Sequence, residues 1–338
     1  MINLNDEIIR NELSNIKIAA IGGGTGISTM LRGIKHYTEN ITAIITVADD
    51  GGGSGMLRED LNMVAPGDIR NCLLALSNTE PTLDKVWRYR FPSGRLKGQS
   101  FGNLLLAAMY GVNGGNFEEA VRQCSDVLAV KGRVLPVTNQ NVNLGAKMSD
   151  GSTVLGESTI PTYAYHNHCK IERMFLTPSK ITPVEDCIKS IKEADIIILG
   201  PGSLYTSIIP NLLVEGVSDA IKQSKAKVVY ICNIMTQKGE TEGYTAFDHA
   251  KAILDHSHDD LIDYCILNDE AIDDFLKAKY RFERSVQVKN DADKFIKNNI
   301  ELICENMLDS SSGYARHDYT ALADAIMKLA YKIKFENN

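Results

Sequence analysis

The apolar positions of this chain follow two periods, and both occur within its first fifty residues. Residues 16–21 (IKIAAI) form a short, mostly apolar run, which predicts a buried strand, and the turn GGGTG follows it directly. Residues 27–36 then place their apolar side chains on one helical face. Residues 41–47 are rich in β-branched side chains and predict a second buried strand.

The next stretch is helical in pattern. We interpret ADDGGGSGML, which follows the second strand, as a polar loop, and we expect helices at 66–77, 101–112 and 117–129. The alternation of strand, glycine-rich turn and helix returns in the second half, with strands at 194–200 and 227–233. The last clear strand in the pattern is IDYCIL, which ends at Leu267. This order predicts an α/β fold: a Rossmann-like, doubly wound and mainly parallel sheet with helices on both faces.

Residues 133–177 have a different hydrophobic pattern, made of short strand-like runs. They contain four short strand patterns, RVLPVT, LGAKMS, STVLGES and KIERMFLT, and a hairpin-like turn at Asp150–Ser152. We therefore predict a small antiparallel β insertion at about 133–177 within a single Rossmann-like domain that covers 16–338. Residues 1–15 are expected to form a polar N-terminal extension.

Composition and charge narrow the class of protein. The chain has 338 residues, of which 44% are hydrophobic, and its net charge of −7 gives no basic footprint for nucleic acid. We expect no membrane span, because no window approaches 18 uncharged apolar residues, and no signal peptide, because the N-terminus is polar. Seven scattered cysteines without a CxxC pair indicate reduced thiols and a cytoplasmic protein.

The first glycine-rich loop predicts a phosphate site. Consecutive glycines leave backbone N–H groups open to an anion, and the following helix directs its positive end to the same place. The loop is not a P-loop, because no GK[ST] follows, and it fails GxGxxG, whose third glycine would fall at Ile27. The alternative is a tight strand-to-helix turn. The candidate residues are Gly22, Gly23, Gly24, Thr25 and Gly26.

The second loop carries two carboxylates before a run of glycines. Asp49 and Asp50 predict a mobile loop with a metal or substrate role, since Mg²⁺ prefers carboxylate oxygen. Gly52 and Ser54 are candidate ligand-binding residues of the same loop. The alternative is a solvated loop whose acidic residues only cap its turn.

Three further segments add polar candidates close to predicted strand or helix ends, where ligands of open α/β sheets bind. An arginine at such a place suits bidentate contact with phosphate, and an asparagine offers both a donor and an acceptor. The candidates are Asp68, Arg70 and Asn71 in PGDIRN, Gly202 and Ser203 in GPGSLYTS, and Asn233, Thr236 and Gln237 in CNIMTQ.

Six motifs together resemble one known family. They are AIGGGTGISTMLRGIK, TVADDGGGSGMLRED, PGDIRNCLLAL, SFGNLLLAAM, LGPGSLYTSIIPNLLVEG and CNIMTQKGETEGY. In this order they resemble the bacterial gluconeogenesis factor family, which is related to 2-phospho-L-lactate transferase. The resemblance runs from about Ile16 to beyond Tyr319. It implies a Rossmann-like fold, binding of UDP-sugars, notably UDP-N-acetylglucosamine, and a cytoplasmic role that links carbon metabolism to cell-wall synthesis and cell shape.

The resemblance also implies roles for individual residues. It places the first glycine loop at the diphosphate, and it gives Asp49 and Asp50 the metal and acceptor role of the transferases. Asn103, in SFGNLLLAAM, joins the ligand-binding set. Arg316, in ARHDYT, is expected at the uracil end with Tyr280 as its aromatic neighbour, although the segment KAKYRFERSV around Tyr280 departs from the family's small-residue pattern.

Two hypotheses follow. The first is a UDP-sugar-binding regulator, and the second is a Mg²⁺-dependent transferase that acts on a nucleotide-activated donor and uses Asp49 and Asp50. A surface scaffold is harder to reconcile with so many glycine-rich loops at strand ends. The fold is compatible with a homodimer, and protein partners in cell-wall synthesis fit the regulatory role. The sequence leaves open the catalytic status, the sugar, the oligomeric state and the identity of those partners.

Overall fold

The computed structural model describes residues 2–79 and 81–336. Its strands, in chain order, are β1 (Ile18–Gly22), β2 (Ile41–Ile45), β3 (Arg133–Pro136), β4 (Asn143–Met148), β5 (Thr153–Leu155), β6 (Ile171–Thr177), β7 (Ile196–Leu199), β8 (Lys227–Ile231), β9 (Tyr264–Asn268), β10 (Glu301–Glu305), β11 (Leu308–Asp309) and β12 (Arg316–His317). Seven of them form the central sheet in the order β10-β9-β8-β7-β1-β2-β3, and every neighbouring pair is parallel. The predicted α/β class with a mainly parallel sheet is therefore confirmed.

Helices flank this sheet, and the first helix lies within the N-terminal segment. They are α1 (Glu7–Ser14), α2 (Gly24–Ile34), α3 (Gly52–Leu61), α4 (Gly67–Leu76), α5 (Pro81–Arg88), α6 (Phe101–Val112), α7 (Phe117–Val127), α8 (Thr159–Asn167), α9 (Glu185–Glu193), α10 (Ile209–Leu212), α11 (Val217–Gln223), α12 (Ala246–Asp255), α13 (Asp274–Phe282), α14 (Ala292–Lys297) and α15 (Tyr319–Tyr331). A π-helical turn, Leu204–Ile208, precedes α10, and a second one, Lys332–Glu336, follows α15. Helix α1 is fixed to α15 by the hydroxyl of Tyr331, which donates to Glu12 at 2.8 Å.

The direction in which successive strands are added to the sheet reverses between β1 and β7. From β1 the chain adds β2 and β3 on one side, whereas β7, β8, β9 and β10 extend the sheet on the other side. The strands β1 and β7 are buried along their whole length, as expected for the middle of a parallel sheet. Such a reversal opens a crevice at the carboxyl ends of the two central strands, which is where open α/β sheets bind ligands.

The small antiparallel sheet has three strands, whereas the sequence pattern predicts four. It contains β4, β5 and β6, with α8 between the last two, whereas β3 pairs in parallel with β2 in the central sheet. The segment RVLPVT is a short apolar run, and such a run has no feature that distinguishes one sheet from another. Strand β10, absent from the expectations, lies at the edge of the central sheet, where its side chains are half-buried or exposed and its hydrophobic pattern is weak.

The interpretation of ADDGGGSGML as a loop was wrong. Residues from Gly52 onward form α3, despite the low helix propensity of glycine. Close packing requires glycine at Gly55, where a Cβ would lie only 2.2 Å from the carbonyl oxygen of Asp50, and a Cβ at Gly53 would lie 2.9 Å from Oε1 of the Gln99 side chain. Tertiary contacts therefore override local propensity here. Within the part of the chain that the structure describes, no helix has the length and hydropathy needed to cross a membrane.

Candidate functional site

A cleft of about 580 Å³ opens at the carboxyl ends of β1, β7 and β8, at the point where the strand order reverses. We call it the main cleft. Its walls come from six stretches of the chain, at 23–29, 161, 201–207, 233–240, 280–285 and 315–317. Of the predicted site residues, those that line it are Gly23, Gly24, Thr25, Gly26, Gly202, Ser203, Asn233, Thr236, Gln237, Tyr280 and Arg316.

The turn after β1 forms one end of the main cleft. Gly24 has a φ of +69°, in the left-handed region that glycine adopts without strain, and α2 begins there. The N-cap residue, Gly23, has no side chain with which to cap α2. The first-turn N–H groups of a helix have no partner within the helix, so those that Asp68 does not occupy, and the positive end of the helix dipole, are available to an anion.

Two close contacts fix this turn. A Cβ at Gly26 would lie 2.5 Å from the carbonyl oxygen of Pro201, so the backbones of the two loops touch directly. A Cβ at Gly23 would lie 2.7 Å from Oδ2 of Asp68, which places that carboxylate under the turn. Asp68 accepts a hydrogen bond from the N–H of Gly24. Burial, helped by the charge of Asp49, raises the pKa of Asp68 to about 6, although the N–H of Gly24 and the charge of Arg70 oppose this shift.

The loops after β7 and β8 are tied together by amide side chains. Nε2 of Gln237 donates to Oγ of Ser203 at 2.8 Å, and Nδ2 of Asn233 donates to Oε1 of Gln237 at 3.3 Å. The hydroxyl of Thr236 is engaged on the other side, where it accepts from the N–H of Val286 at 2.9 Å. Asn233 and Gln237 are therefore held in place at the cleft wall before any ligand arrives.

Arg316 and Tyr280 also line the main cleft. Tyr280 is buried against a small apolar cluster that includes Ile234 and Leu276, and its hydroxyl accepts from the N–H of Ala315 at 3.0 Å. This bond fixes the segment that carries Arg316. The side chain of Arg316 is exposed, with Tyr314 nearby at 6.0 Å from ring centroid to guanidinium carbon.

The two adjacent carboxylates, Asp49 and Asp50, have different hydrogen-bond partners. Both carboxylate oxygens of Asp50 accept backbone hydrogen bonds at the start of α8, from Glu157 at 2.9 Å and from Ser158 at 3.0 Å. Oδ1 of Asp49 accepts from the N–H of Gly51 at 2.9 Å, while its Oδ2 is directed to the start of α4, 3.0 Å from where a Cβ of Gly67 would lie. Asp50 therefore joins the loop to the insertion, and Asp49 is the carboxylate that faces Asp68.

Glu157 and Glu240 are carboxylates that the sequence patterns did not single out. Burial and then the charge of Asp49 raise the pKa of Glu157 to about 7, although its hydrogen bond with Thr206 opposes the shift. Glu240 lines the main cleft, and burial raises its pKa to about 7 as well. Glu240 lies within the quoted motif CNIMTQKGETEGY, so it could have been considered, whereas only the folding of the insertion brings Glu157 here.

The remaining candidates surround the main cleft without lining it. Gly22 ends β1 and is buried. Arg70 donates to Oγ of Ser100 at 2.6 Å and to Oδ1 of Asn71 at 2.7 Å, and Ser100 also accepts from the N–H of Asn103. Gly52 begins α3, and Ser54 lies against Gly67. Arg70, Asn71, Ser100 and Asn103 form a polar cluster between α4 and the start of α6.

A metal site is not preformed at this place. Within residues 2–79 and 81–336, no three histidine, cysteine, aspartate or glutamate side chains are grouped so that they could hold a metal ion. A Mg²⁺ ion bound through Asp49 would need further oxygen ligands from water and from phosphate groups, which is its usual arrangement with nucleotides.

The comparisons with known proteins agree with the fold. The family model described as 2-phospho-L-lactate transferase CofD matches residues 18–308. A protein of Thermoanaerobacterium thermosulfurigenes is 55% identical over 94% of this chain and 98% of its own length, and the gluconeogenesis factor of Bacillus subtilis (strain 168) is 48% identical over 93% and 98%. The crystal structure of protein BH3568 from Bacillus halodurans covers 92% of this chain and 99% of its own, with a TM-score of 0.89 and 45% identity.

Proposed function

Because the chain belongs to the 2-phospho-L-lactate transferase CofD family, among its gluconeogenesis factors, we propose that it binds a UDP-sugar in the main cleft. The ligand that we favour is UDP-N-acetylglucosamine. In this proposal the protein is a cytoplasmic regulator that senses the nucleotide sugar and connects gluconeogenic carbon metabolism with cell-wall synthesis and cell shape. Its partners would be the nucleotide sugar and proteins of cell-wall synthesis, and a homodimer fits the same role.

The observation that carries the proposal is that the start of α2, whose N-cap is a glycine, and Arg316 line the same cleft. Uncapped N–H groups at a helix start suit a diphosphate. A planar guanidinium beside an aromatic ring suits a base, through hydrogen bonding and stacking. The volume of about 580 Å³ lies within the range of about 300–1,000 Å³ that is usual for small-molecule sites.

Calorimetric titration with UDP-N-acetylglucosamine, UDP-glucose and UDP tests the proposal. We expect saturable binding, and we expect Arg316→Ala to weaken it at least about tenfold, which is about 1.4 kcal/mol. Arg281→Ala is the matched control, because Arg281 is exposed on the nearby helix α13 and does not line the cleft. If no UDP-sugar binds or stabilises the chain against heat, the proposal is wrong.

A second candidate function is a Mg²⁺-dependent transferase with a nucleotide-activated donor. It is supported by the carboxylates beside the α2 turn, where burial and the charge of Asp49 raise the pKa of both Asp68 and Glu157. A divalent cation would offset this repulsion, with Asp49 as the first candidate ligand and with Asp50 occupied at the start of α8. Bound Mg²⁺ would supply charge neutralisation at the phosphates.

Incubation with UDP-N-acetylglucosamine, Mg²⁺ and cell extract separates the two functions when the nucleotide is followed by mass. Intact nucleotide together with clear binding favours the regulator. Consumption that depends on this chain, and that Asp49→Asn abolishes, favours the transferase.

A further inference from the structure

A second cavity, of about 520 Å³, lies outside the main cleft, between the end of α2, the segment that follows α4, and α5. We call it the basic cavity, and it shares no lining residue with the main cleft. Its lining contains four cationic side chains, and the carboxylate among its described lining residues is Asp84. The four cations are Arg32, Lys35, Lys85 and Arg88. This concentration of positive charge occurs in a chain whose net charge is −7.

Two of these cations have partners within the protein. Nζ of Lys35 donates to the carbonyl oxygen of Ser77 at 2.7 Å, and Nε of Arg88 donates to Oδ2 of Asp84 at 2.9 Å. Arg32 differs, because its half-buried guanidinium makes no hydrogen bond or ion pair with any residue that the structure describes. A guanidinium has five N–H donors, so leaving it half-buried without an acceptor is costly.

The cations also repel one another. Burial and then the charge of Arg88 lower the pKa of Arg32, and burial and then the charge of Arg32 lower the pKa of Lys35. Lys131, which adds to the field at Lys35, is itself paired with Glu39 at 2.9 Å. The arrangement therefore carries an electrostatic cost that a bound anion would remove.

Helix dipoles account for only part of this arrangement. Arg32 lies in the last turn of α2 and Lys35 caps its end, where cations are favoured. The same holds for α5, because Lys85 and Arg88 lie in its last turn. The dipoles do not explain why the two cationic helix ends meet in one cavity. Two walls with converging cations are typical of a site that grips an anion from both sides.

We propose that the basic cavity binds a small molecule with two linked or neighbouring phosphate groups, held by Arg32, Lys85 and Arg88. A concave space of about 520 Å³ fits a compact molecule, whereas nucleic acid is usually bound along an extended basic stripe. The guanidinium of Arg32 supplies the planar fork that phosphate oxygens match, and Lys85 adds a mobile charge at the exposed rim. The argument for this site does not use the ligand that we propose for the main cleft.

Titration calorimetry with inorganic pyrophosphate at low ionic strength tests the site. We expect Arg32→Gln and Arg88→Gln each to weaken pyrophosphate binding at least about tenfold, because each removes a charge that faces the anion. Arg95→Gln is the matched control, since it removes the same charge from an exposed position that does not line the cavity, and it should change the affinity by less than twofold. The wild type and all three variants keep the residues that line the main cleft. A difference in affinity between them therefore reports the basic cavity and not pyrophosphate bound at the α2 turn.

Thermal unfolding in phosphate-free buffer distinguishes a binding role from a structural one. Without an anion, Arg32→Gln should unfold at the same temperature as the wild type or at a higher one, because it removes a half-buried cation that Arg88 repels and that has no acceptor among the described residues. A clearly lower unfolding temperature would assign Arg32 to structure and overturn the proposal. Unchanged pyrophosphate affinity in the two cavity variants, or an equal loss in Arg95→Gln, would overturn it as well. If Arg32→Gln fails to fold, Arg88→Gln, at a half-exposed side chain, decides the question.

Discussion

The two glycine-rich loops of this chain, GGGTG after β1 and DDGGGSG after β2, look alike in sequence and differ in what they do. Each follows a buried strand and leads into a helix. In the first, the N-cap residue Gly23 has no side chain to cap α2, Asp68 accepts from the N–H of Gly24, and the turn opens into the main cleft. In the second, carboxylates and an arginine of the protein fill the loop's own hydrogen-bonding positions.

The difference lies in how the polar groups are satisfied. Arg58 is buried and donates to the carbonyl oxygens of Ala48, Asp49 and Val142, while Asp50 binds the start of α8. The second loop is thus a joint between the central sheet and the insertion. A run of glycines marks a close backbone approach in both loops, but only unfilled N–H donors mark a ligand site. Three substitutions test this comparison.

The largest effect is expected for Gly55→Ala in the second loop. Its new Cβ would lie 2.2 Å from the carbonyl oxygen of Asp50, and backbone cannot yield as a flexible side chain does. We expect a loss of at least about 3 kcal/mol in the free energy of unfolding, measured by chemical denaturation. Gly111→Ala is the control: it lies in α6 with nothing within 4 Å, and it should be neutral or stabilising. Similar stabilities for the two variants would refute close packing as the reason for glycine at this position.

A somewhat smaller effect is expected for Arg58→Gln. The shorter side chain leaves buried carbonyl oxygens without their donor, which should cost about 2–3 kcal/mol in the free energy of unfolding. Because Arg58 does not line the main cleft, the affinity for a UDP-sugar should stay within about threefold of the wild type in the folded variant. A variant with full stability and lost binding would reverse the roles that we assign to the two loops.

The smallest effect is expected for Asp68→Asn, at the carboxylate that accepts from the N–H of Gly24 in the first loop. Burial raises the pKa of Asp68 to about 6, so the folded chain binds this proton more tightly than the unfolded chain does. The stability that the group contributes is complete below its ordinary pKa and is lost as the pH rises through about 6. Asparagine removes this loss, and at pH 7 the variant should be more stable by about 1 kcal/mol, a value reduced because the side chain is half-buried.

Denaturation between pH 4 and pH 8 measures this effect as the difference between wild type and variant, since Glu157 and Glu240 also titrate near neutrality. Asp60→Asn, at an exposed carboxylate, is the control for the loss of one negative charge. A wild-type chain that gains stability over Asp68→Asn as the pH rises would contradict the position that we give to this carboxylate.

Much of the fold could be predicted from the sequence, because its signals are local. The helix at 101–112 was predicted with its observed bounds, since its apolar face and polar flanks lie within one short window. The edge strand β10 was not predicted, because half-exposed side chains leave no clear period. Helix α3 was interpreted as a loop, since its glycines are selected by contacts with Asp50 and Gln99 rather than by helix propensity.

For the candidate site, the sequence by itself determined which residue types stand at strand ends and in which order, and therefore the fold class, the family resemblance and most of the candidate list. Only the tertiary structure decided how those residues divide between the main cleft and its surroundings, and it added Glu157 and Glu240. It also decided that Asp49 and Asp50, adjacent in sequence, face different partners, and that cations from α2 and α5 meet in one cavity. The physical reason is that hydrophobic period and turn chemistry are properties of short segments, whereas burial, unfilled hydrogen-bond donors and uncompensated charge arise only when distant segments pack together.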